Sequence, residues 1–447
     1  MKLPLAQGGL ARASRLVLCA LLIAAGCALV GCTGEGGTSS SPSTTPSDAS
    51  VDGHHWAVWV DNERSGHLDA RSTVRAFDLD AGVGREVCMV ESVKLWPAVS
   101  SRWVVWLDGR GGATPSGGEA ARDLYCFDLT SGQERRLTEG ADLVEAPAID
   151  GDIVVWADWL GPSTSESGEF EAPAIALDLA SGARRDFRVP GARAYAPIVS
   201  EGWVAWWSIE ADPTMTEMSS ADIRVADFSS GEIRAIEVDV PQPLQYQPLG
   251  LAIDALWLAW QRITGPYLGD PASADIALAS VEDGRERTVS GETSDESFLT
   301  YPAVSGEHVI WYDGPRTGEQ RGAIFAGDVA GGTPRRLCQA DVGPGGITVG
   351  GDWVAWAELT TTAKGESECD IVAYNLATDE RRVVCAAAGD QWSPRITGEW
   401  VVWEDARNTT ARGDARTWDI YACNLETGEE LAVCTDPGNQ GWLSVSK

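Results

Sequence analysis

The sequence predicts an all-β protein folded as a single eight-bladed β-propeller, and three observations carry that prediction. A tripeptide of two small or apolar residues and a tryptophan recurs with its tryptophan at Trp59, Trp106, Trp156, Trp206, Trp260, Trp311, Trp356 and Trp403, in steps of 45 to 54 residues. A polar anchor follows in constant phase at Asp78, Asp128, Asp178, Asp227, Ser280, Asp328, Asn375 and Asn424, with glycine four residues later in seven units and Asp379 in the eighth. No helical periodicity lies between these markers, and four short strands per unit at this period build a propeller. Repetition overrides the two or three domains that length alone would suggest.

Residues 1–31 read as an export leader. Lys2, Arg12 and Arg15 precede an apolar stretch from Leu16 to Val30, too short to be a spanning helix. The leader ends in Leu29-Val30-Gly31-Cys32, which resembles the lipobox of bacterial lipoproteins. That resemblance implies cleavage before Cys32, acylation of its thiol, and an extracytoplasmic domain held to the cell membrane by lipid alone. Residues 32–50 are rich in Gly, Ser, Thr and Pro and form a flexible tether. The propeller occupies 51–447. The whole chain's formal charge of −32, more negative once the leader is lost, repels nucleic acid and anionic headgroups.

Each unit divides into four strands. The first is often opened by proline, at Pro97, Pro147, Pro197, Pro302 and Pro394. The second is apolar on both faces, as a strand sandwiched between blades must be. The third ends at the polar anchor. The fourth is charged, with Arg135-Arg136, Arg184-Arg185, Arg335-Arg336 and Arg381-Arg382 guarding an outer edge. Unit one starts too late to contain a first strand, whereas Leu443 to Ser446 matches the first-strand pattern. The C-terminus is therefore expected to complete blade one and close the ring. Seven blades remain the alternative if the unit around Trp260 is irregular.

Units such as SPRITGEWVVWEDARN and WDIYACNLETGEEL resemble the TolB-like repeats of bacterial envelope and cell-surface propellers. The likeness spans almost all of 51–447 and implies scaffold rather than chemistry. Quinoprotein-type eight-bladed propellers carry tryptophan four residues after the turn glycine; Arg136, Asp186 and Ala432 stand there instead.

Cys88, Cys338, Cys385 and Cys434 each lie ten residues after their anchor, and the separations Cys88–Cys126 and Cys385–Cys423 are both 38 residues. Equal spacing predicts two disulfides between neighbouring blades, with Cys338–Cys369 as a variant third and Cys434 left over. Seven buried thiols are the alternative. The spacings do not resemble zinc sites.

No GxSxG, Walker or HExxH motif occurs, and His54, His55, His67 and His308 are scattered, so no catalytic residue, cofactor or metal is expected. Asp61, Asp108, Asp158, Asp313 and Asp405 follow the strand tryptophans, with Arg64, Arg110, Arg316 or Arg407 nearby. They read as Asp–Arg pairing and turn capping, or alternatively as a calcium or ligand ring. Long second-to-third loops share one face with the inter-blade connections, where binding usually resides. The same face should carry Trp96, Tyr195, Tyr246, Tyr301, Trp392 and Trp442. If their rings enter the central funnel they form a stacking surface for sugars or a peptide; otherwise they wedge between blades. The expected function is a monomeric, non-enzymatic binding or scaffolding module for an envelope protein or polysaccharide. The alternative is a glycan hydrolase or lyase, which would require clustered carboxylates in the funnel.

Overall fold

The computed structural model describes residues 53–62, 72–111, 122–141, 143, 145–157, 171–210, 221–240, 250–264, 273–291, 297–315, 321–361, 365–409 and 417–447. The leader, Cys32, the tether, Tyr246, His67, Asp158, Arg64, Arg316 and most of the long loops lie outside these residues.

Eight antiparallel four-stranded sheets follow one another along the chain. Blade 1 holds Trp56–Asn62, Ser72–Asp78 and Val83–Ser92. Blades 2 to 8 span 94–136, 148–187, 192–240, 251–288, 297–340, 342–385 and 391–434. The last strand, Asn439–Val445, pairs with Trp56–Asn62 and supplies the missing innermost strand of blade 1, as expected. Trp56 N donates to Ser446 Oγ at 2.9 Å, and Ser446 N returns the bond to the Trp56 carbonyl. The innermost strands of consecutive blades touch in an unbroken circuit, so the ring is closed and has eight members.

Between every pair of neighbouring blades lies one apolar cluster, eight in all. Each strand tryptophan fills one of them, packed against the blade before its own. Trp106 packs against Val74 and Ala76, Trp260 against Ala205 and Val225, and Trp59 against Val402 and Val433 across the closing seam. All eight are 2% exposed or less. Each hides roughly 200 Å², worth on the order of 5 kcal/mol. The polar anchors explain their periodicity too. The side-chain oxygen of Asp128 accepts the N–H groups of Thr130 and Ser131, and Asn424 does the same for Glu426 and Thr427. The fourth residue of this turn must take positive φ, which Gly132 does at 71°. Asp379 adopts 59° without being glycine, and its carboxylate is held by Tyr374 Oη and Arg335.

The outer-strand arginines do more than guard an edge. Arg85, Arg135, Arg185, Arg234, Arg287, Arg335 and Arg382 all stand seven residues after their anchor. Each donates to a turn carbonyl of the next blade: Arg135 to Leu179 at 2.9 Å, Arg287 to Val329 at 2.7 Å, Arg382 to Leu425. Arg85, Arg185, Arg234 and Arg335 reach Leu129, Phe228, Glu282 and Leu376. Such bonds contribute about 1 kcal/mol apiece when partly exposed. The eighth position is Leu431, which instead packs in the apolar cluster with Leu79 at the closing seam.

The predicted disulfides are not formed. Cys88, Cys126, Cys338, Cys369, Cys385, Cys423 and Cys434 are all free thiols. Equal separation hid unequal phase. Cys126 stands two residues before its anchor and Cys423 one before, and a one-residue slip turns a strand side chain to the opposite face. Cys88 therefore packs between blades 1 and 2, while Cys126 packs between blades 2 and 3, with the blade 2 sheet separating them. Cys338 and Cys369 are likewise on opposite sides of blade 7. Cys385 and Cys423 share a cluster, but Arg407 Nη2 donates to Cys385 Sγ at 2.9 Å and Cys423 Sγ turns to its neighbour's carbonyl. Burial raises both thiols, Cys385 to about 11, so they stay protonated.

Candidate functional site

The innermost strands line the channel, and six of them are interrupted by a bulge at the same height. At five of these bulges a non-glycine residue takes positive φ: Trp96 (48°), Ala196 (47°), Tyr301 (55°), Ser393 (51°) and Trp442 (60°). Proline follows directly in the first four. Such conformations cost of order 1 kcal/mol or more each and persist where the surroundings enforce them. Here the surroundings are the adjacent bulges. In blade 7 the bulge is Gly345-Gly346, and side chains there would collide: a Cβ on Gly345 would lie 2.6 Å from Ser393 Cα, and one on Gly346 2.9 Å from the Tyr301 ring. Bulges of successive blades thus abut around the channel.

The predicted aromatic set divides in two. Trp96 and Trp442 meet edge to face across blades 2 and 1, centroids 5.7 Å apart, and both also pack against the apolar cluster between blades 2 and 3. Tyr301 is 40% exposed. These three occupy the bulge itself. Tyr195 and Trp392 sit one residue earlier and pack into the clusters between blades 4 and 5 and blades 7 and 8, Trp392 also lying 4.6 Å from Trp418. They are wedges. The acidic residues divide as well. Asp108 and Asp405 accept from the indoles of Trp106 (3.0 Å) and Trp403 (2.8 Å) and pair with Arg110 and Arg407. The expected Asp–Arg pairing holds there; both arginines also lie over a tyrosine ring of their own blade. Sequence reasoning missed Lys94, which lies fully buried with its ammonium 3.5 Å from Asp108.

Two glutamates reach the channel from outside the innermost strands. Glu145 Oε2 accepts the bulge N–H of Ala196 at 2.8 Å, and Glu404 accepts that of Leu443 at 3.3 Å. Each carboxylate caps the bulge of the following blade. Burial raises both: Glu145 to about 7, against the opposing bond from Ala196, and Glu404 upward against the attraction of Arg395. Burial, with the nearby Glu145 charge, pushes the Tyr195 hydroxyl up to about 12. The innermost strands themselves carry only two acids among the described residues, Asp150 and Asp254. Both cap a turn of the next blade, at Glu201 N and Gly306 N. At the tight-turn end, Lys447 Nζ extends from blade 1 to the Ile253 carbonyl of blade 5, on the opposite side of the ring.

The raised affinity of Glu145 for its proton fixes a pH dependence. The folded state holds this proton more tightly than the unfolded chain between pH 4.5 and about 7, so stability falls as pH rises through that window. The loss reaches at most about 3 kcal/mol, because each tenfold difference in proton affinity between the two states is worth about 1.4 kcal/mol. Glu145→Gln should flatten the difference between urea midpoints at pH 5 and pH 8. An unchanged difference would place the proton elsewhere.

Neither a family of known proteins nor a curated protein sequence matches the chain. Solved structures do. The chain is similar to the acylaminoacyl peptidase of Pyrococcus horikoshii at a TM-score of 0.50 and 13% identity, over 77% of this chain and 52% of that one. It is similar to the β-propeller domain of the Trilobed protease from Pyrococcus furiosus at 0.49 and 13%, over 77% and 95%. It is similar to the oligogalacturonate lyase of Vibrio parahaemolyticus at 0.44 and 13%, over 69% and 85%. At 13% identity the first of these likenesses is one of fold alone; the sheet order itself shows a β-propeller, closed at eight blades by strand Asn439–Val445.

Proposed function

We propose that the protein is a secreted lipoprotein, anchored through Cys32, whose propeller binds an envelope protein or polymer without transforming it. The carrying observation is the ring of bulges, where positive φ is imposed on Trp96, Tyr301 and Trp442 at the channel mouth. Strain of this kind concentrates at binding sites, and aromatic faces stack on sugars and on extended peptide. This mouth lies at the end of the blades where the second strands finish. The leader, the Leu-Val-Gly-Cys sequence and the tether support the anchor, and the negative surface leaves membrane contact to lipid.

Carbohydrate cleavage is the second reading, favoured by Glu145 lying near neutrality. It is weaker because both channel glutamates already cap neighbouring bulges and the innermost strands add no free carboxylate among the described residues. A pull-down from envelope extracts tests the main reading. Trp96→Ala plus Tyr301→Ala should cut capture at least tenfold while the protein stays folded by circular dichroism at the assay temperature; equal capture would eliminate the channel mouth as the site. Incorporation of labelled fatty acid, abolished by Cys32→Ser, tests the anchor.

A further inference from the structure

The seam between blades 8 and 1 differs from the other seven in its charge. On its tight-turn side His54, His55, Asp78 and Asp80 of blade 1 meet Glu399 of blade 8. The ligating atoms of His54, Asp78 and Asp80 lie within 4.8 Å of one another, as do those of His55, Asp80 and Glu399, with Asp80 common to both groups. His54 Nδ1 is 2.5 Å from Asp78 Oδ2, and His55 Nδ1 is 3.1 Å from both oxygens of Asp80. The His55 N–H also donates to Asp80 Oδ2 at 2.8 Å.

Three carboxylates in this space would ordinarily attract a guanidinium. Several carboxylates elsewhere in the ring do so: Asp108 has Arg110, Asp128 has Arg102, Glu358 has Arg321, and Asp405 has Arg407, whereas the anchors Asp178, Asp227 and Asp328 cap their own turns instead. A third cluster at this same seam, Asp61, Cys434 and Asp436, is bridged by Arg75, 3.3 Å from Asp61 and 2.6 Å from Asp436. Among the described residues, Asp78, Asp80 and Glu399 have no lysine or arginine partner. The deficit coincides with the one missing staple, since Leu431 stands where seven other blades send an arginine to the next.

We propose that His54, His55, Asp78, Asp80 and Glu399 form a divalent transition-metal site that clasps the closing seam of the ring. Imidazole mixed with carboxylate suits zinc, nickel or cobalt, whereas calcium requires a shell of oxygens. A carboxylate that bonds histidine Nδ1 either ligates directly or orients the ring so that Nε2 does. Because Glu399 joins the blade 1 ligands only in the closed ring, the ion binds the closed ring more tightly than the unfolded chain, and so raises stability.

The test titrates metal-stripped, untagged protein with zinc chloride and, separately, calcium chloride, reading binding heat and melting temperature. Zinc should bind saturably and raise melting by several degrees, and calcium at equal concentration should not. His54→Ala plus His55→Ala should remove both zinc effects, Glu399→Gln should diminish the melting shift, and Asp61→Asn, in the arginine-bridged cluster, should keep the full response. Absence of zinc binding in the wild type, or an equal response in the double histidine variant, overturns the proposal. If that double variant does not fold, Glu399→Gln decides: an undiminished shift would mean that the seam is not clasped.

Discussion

Removal of Asn439–Lys447 is expected to abolish cooperative folding or to lower the melting temperature by at least about 15 °C. Five backbone pairs between this strand and Trp56–Asn62 would be lost. Trp56 N would lose Ser446, and Asp61 would lose the Gln440 amide that bonds it at 3.0 Å. Leu443 would leave the cluster that Trp59 and Val402 share. Each lost hydrogen bond costs about 1 kcal/mol, and together with the apolar surface uncovered at about 25 cal/mol per Å² the sum rivals the whole stability of an ordinary domain, about 5–15 kcal/mol. The exposed edge would also invite association between chains. Thermal melts by circular dichroism and size-exclusion chromatography give the readout, and a peptide of residues 437–447 added in trans should restore part of the transition. A truncated chain that melted within a few degrees of the full chain would mean that closure contributes little.

Asp108→Asn should be the most damaging conservative substitution, lowering stability by about 3–5 kcal/mol. Asp108 is fully buried and receives the Trp106 indole, the Ser92 hydroxyl at 2.6 Å and the Arg110 guanidinium, with Lys94 beside it. Burial alone would raise its carboxyl, but hydrogen bonds from Arg110 and Ser92 and the charge of Lys94 outweigh it and hold the group below the usual range. Neutralising it leaves two cations facing each other, one of them wholly out of water. Asp405→Asn removes the same acid from the same module in blade 8, where no lysine stands, and should cost less. Lys94→Met should cost less still, since Asp108 keeps Arg110. Urea midpoints of the three variants test that order, and the reverse order would mean that the ammonium, not the carboxylate, organises the group.

The architecture was legible because tryptophan and anchor both mark packing that every blade must repeat: one fills the gap to the preceding blade, the other caps a turn. The closing strand was legible for the same reason. The staples were not, because doublets hide phase; in Arg135-Arg136 the first arginine reaches the next blade, and in Arg184-Arg185 the second does. The disulfide expectation failed on phase as well, since separation between two cysteines does not state which face either occupies. The aromatic set could have been sorted from sequence. Trp96 and Tyr301 stand directly before proline and take the positive φ of the bulge, whereas Tyr195 and Trp392 stand two residues before it and do not, although Trp96, like them, also touches an inter-blade cluster. What no pattern revealed was Lys94, because a lysine opening a strand usually faces water, and it is Asp108, the Ser92 hydroxyl and the Val90 carbonyl that make its burial tolerable.

The pairing of Trp56 with Ser446 joins residues 390 positions apart. Vectorial delivery, whether from a ribosome or through an export channel, therefore releases the first module long before its partner strand emerges. Until then its inner edge stays open, and contacts of such long range form slowly. A chain arrested before residues 439–446 would keep the inner edge of its first blade open to association with other chains.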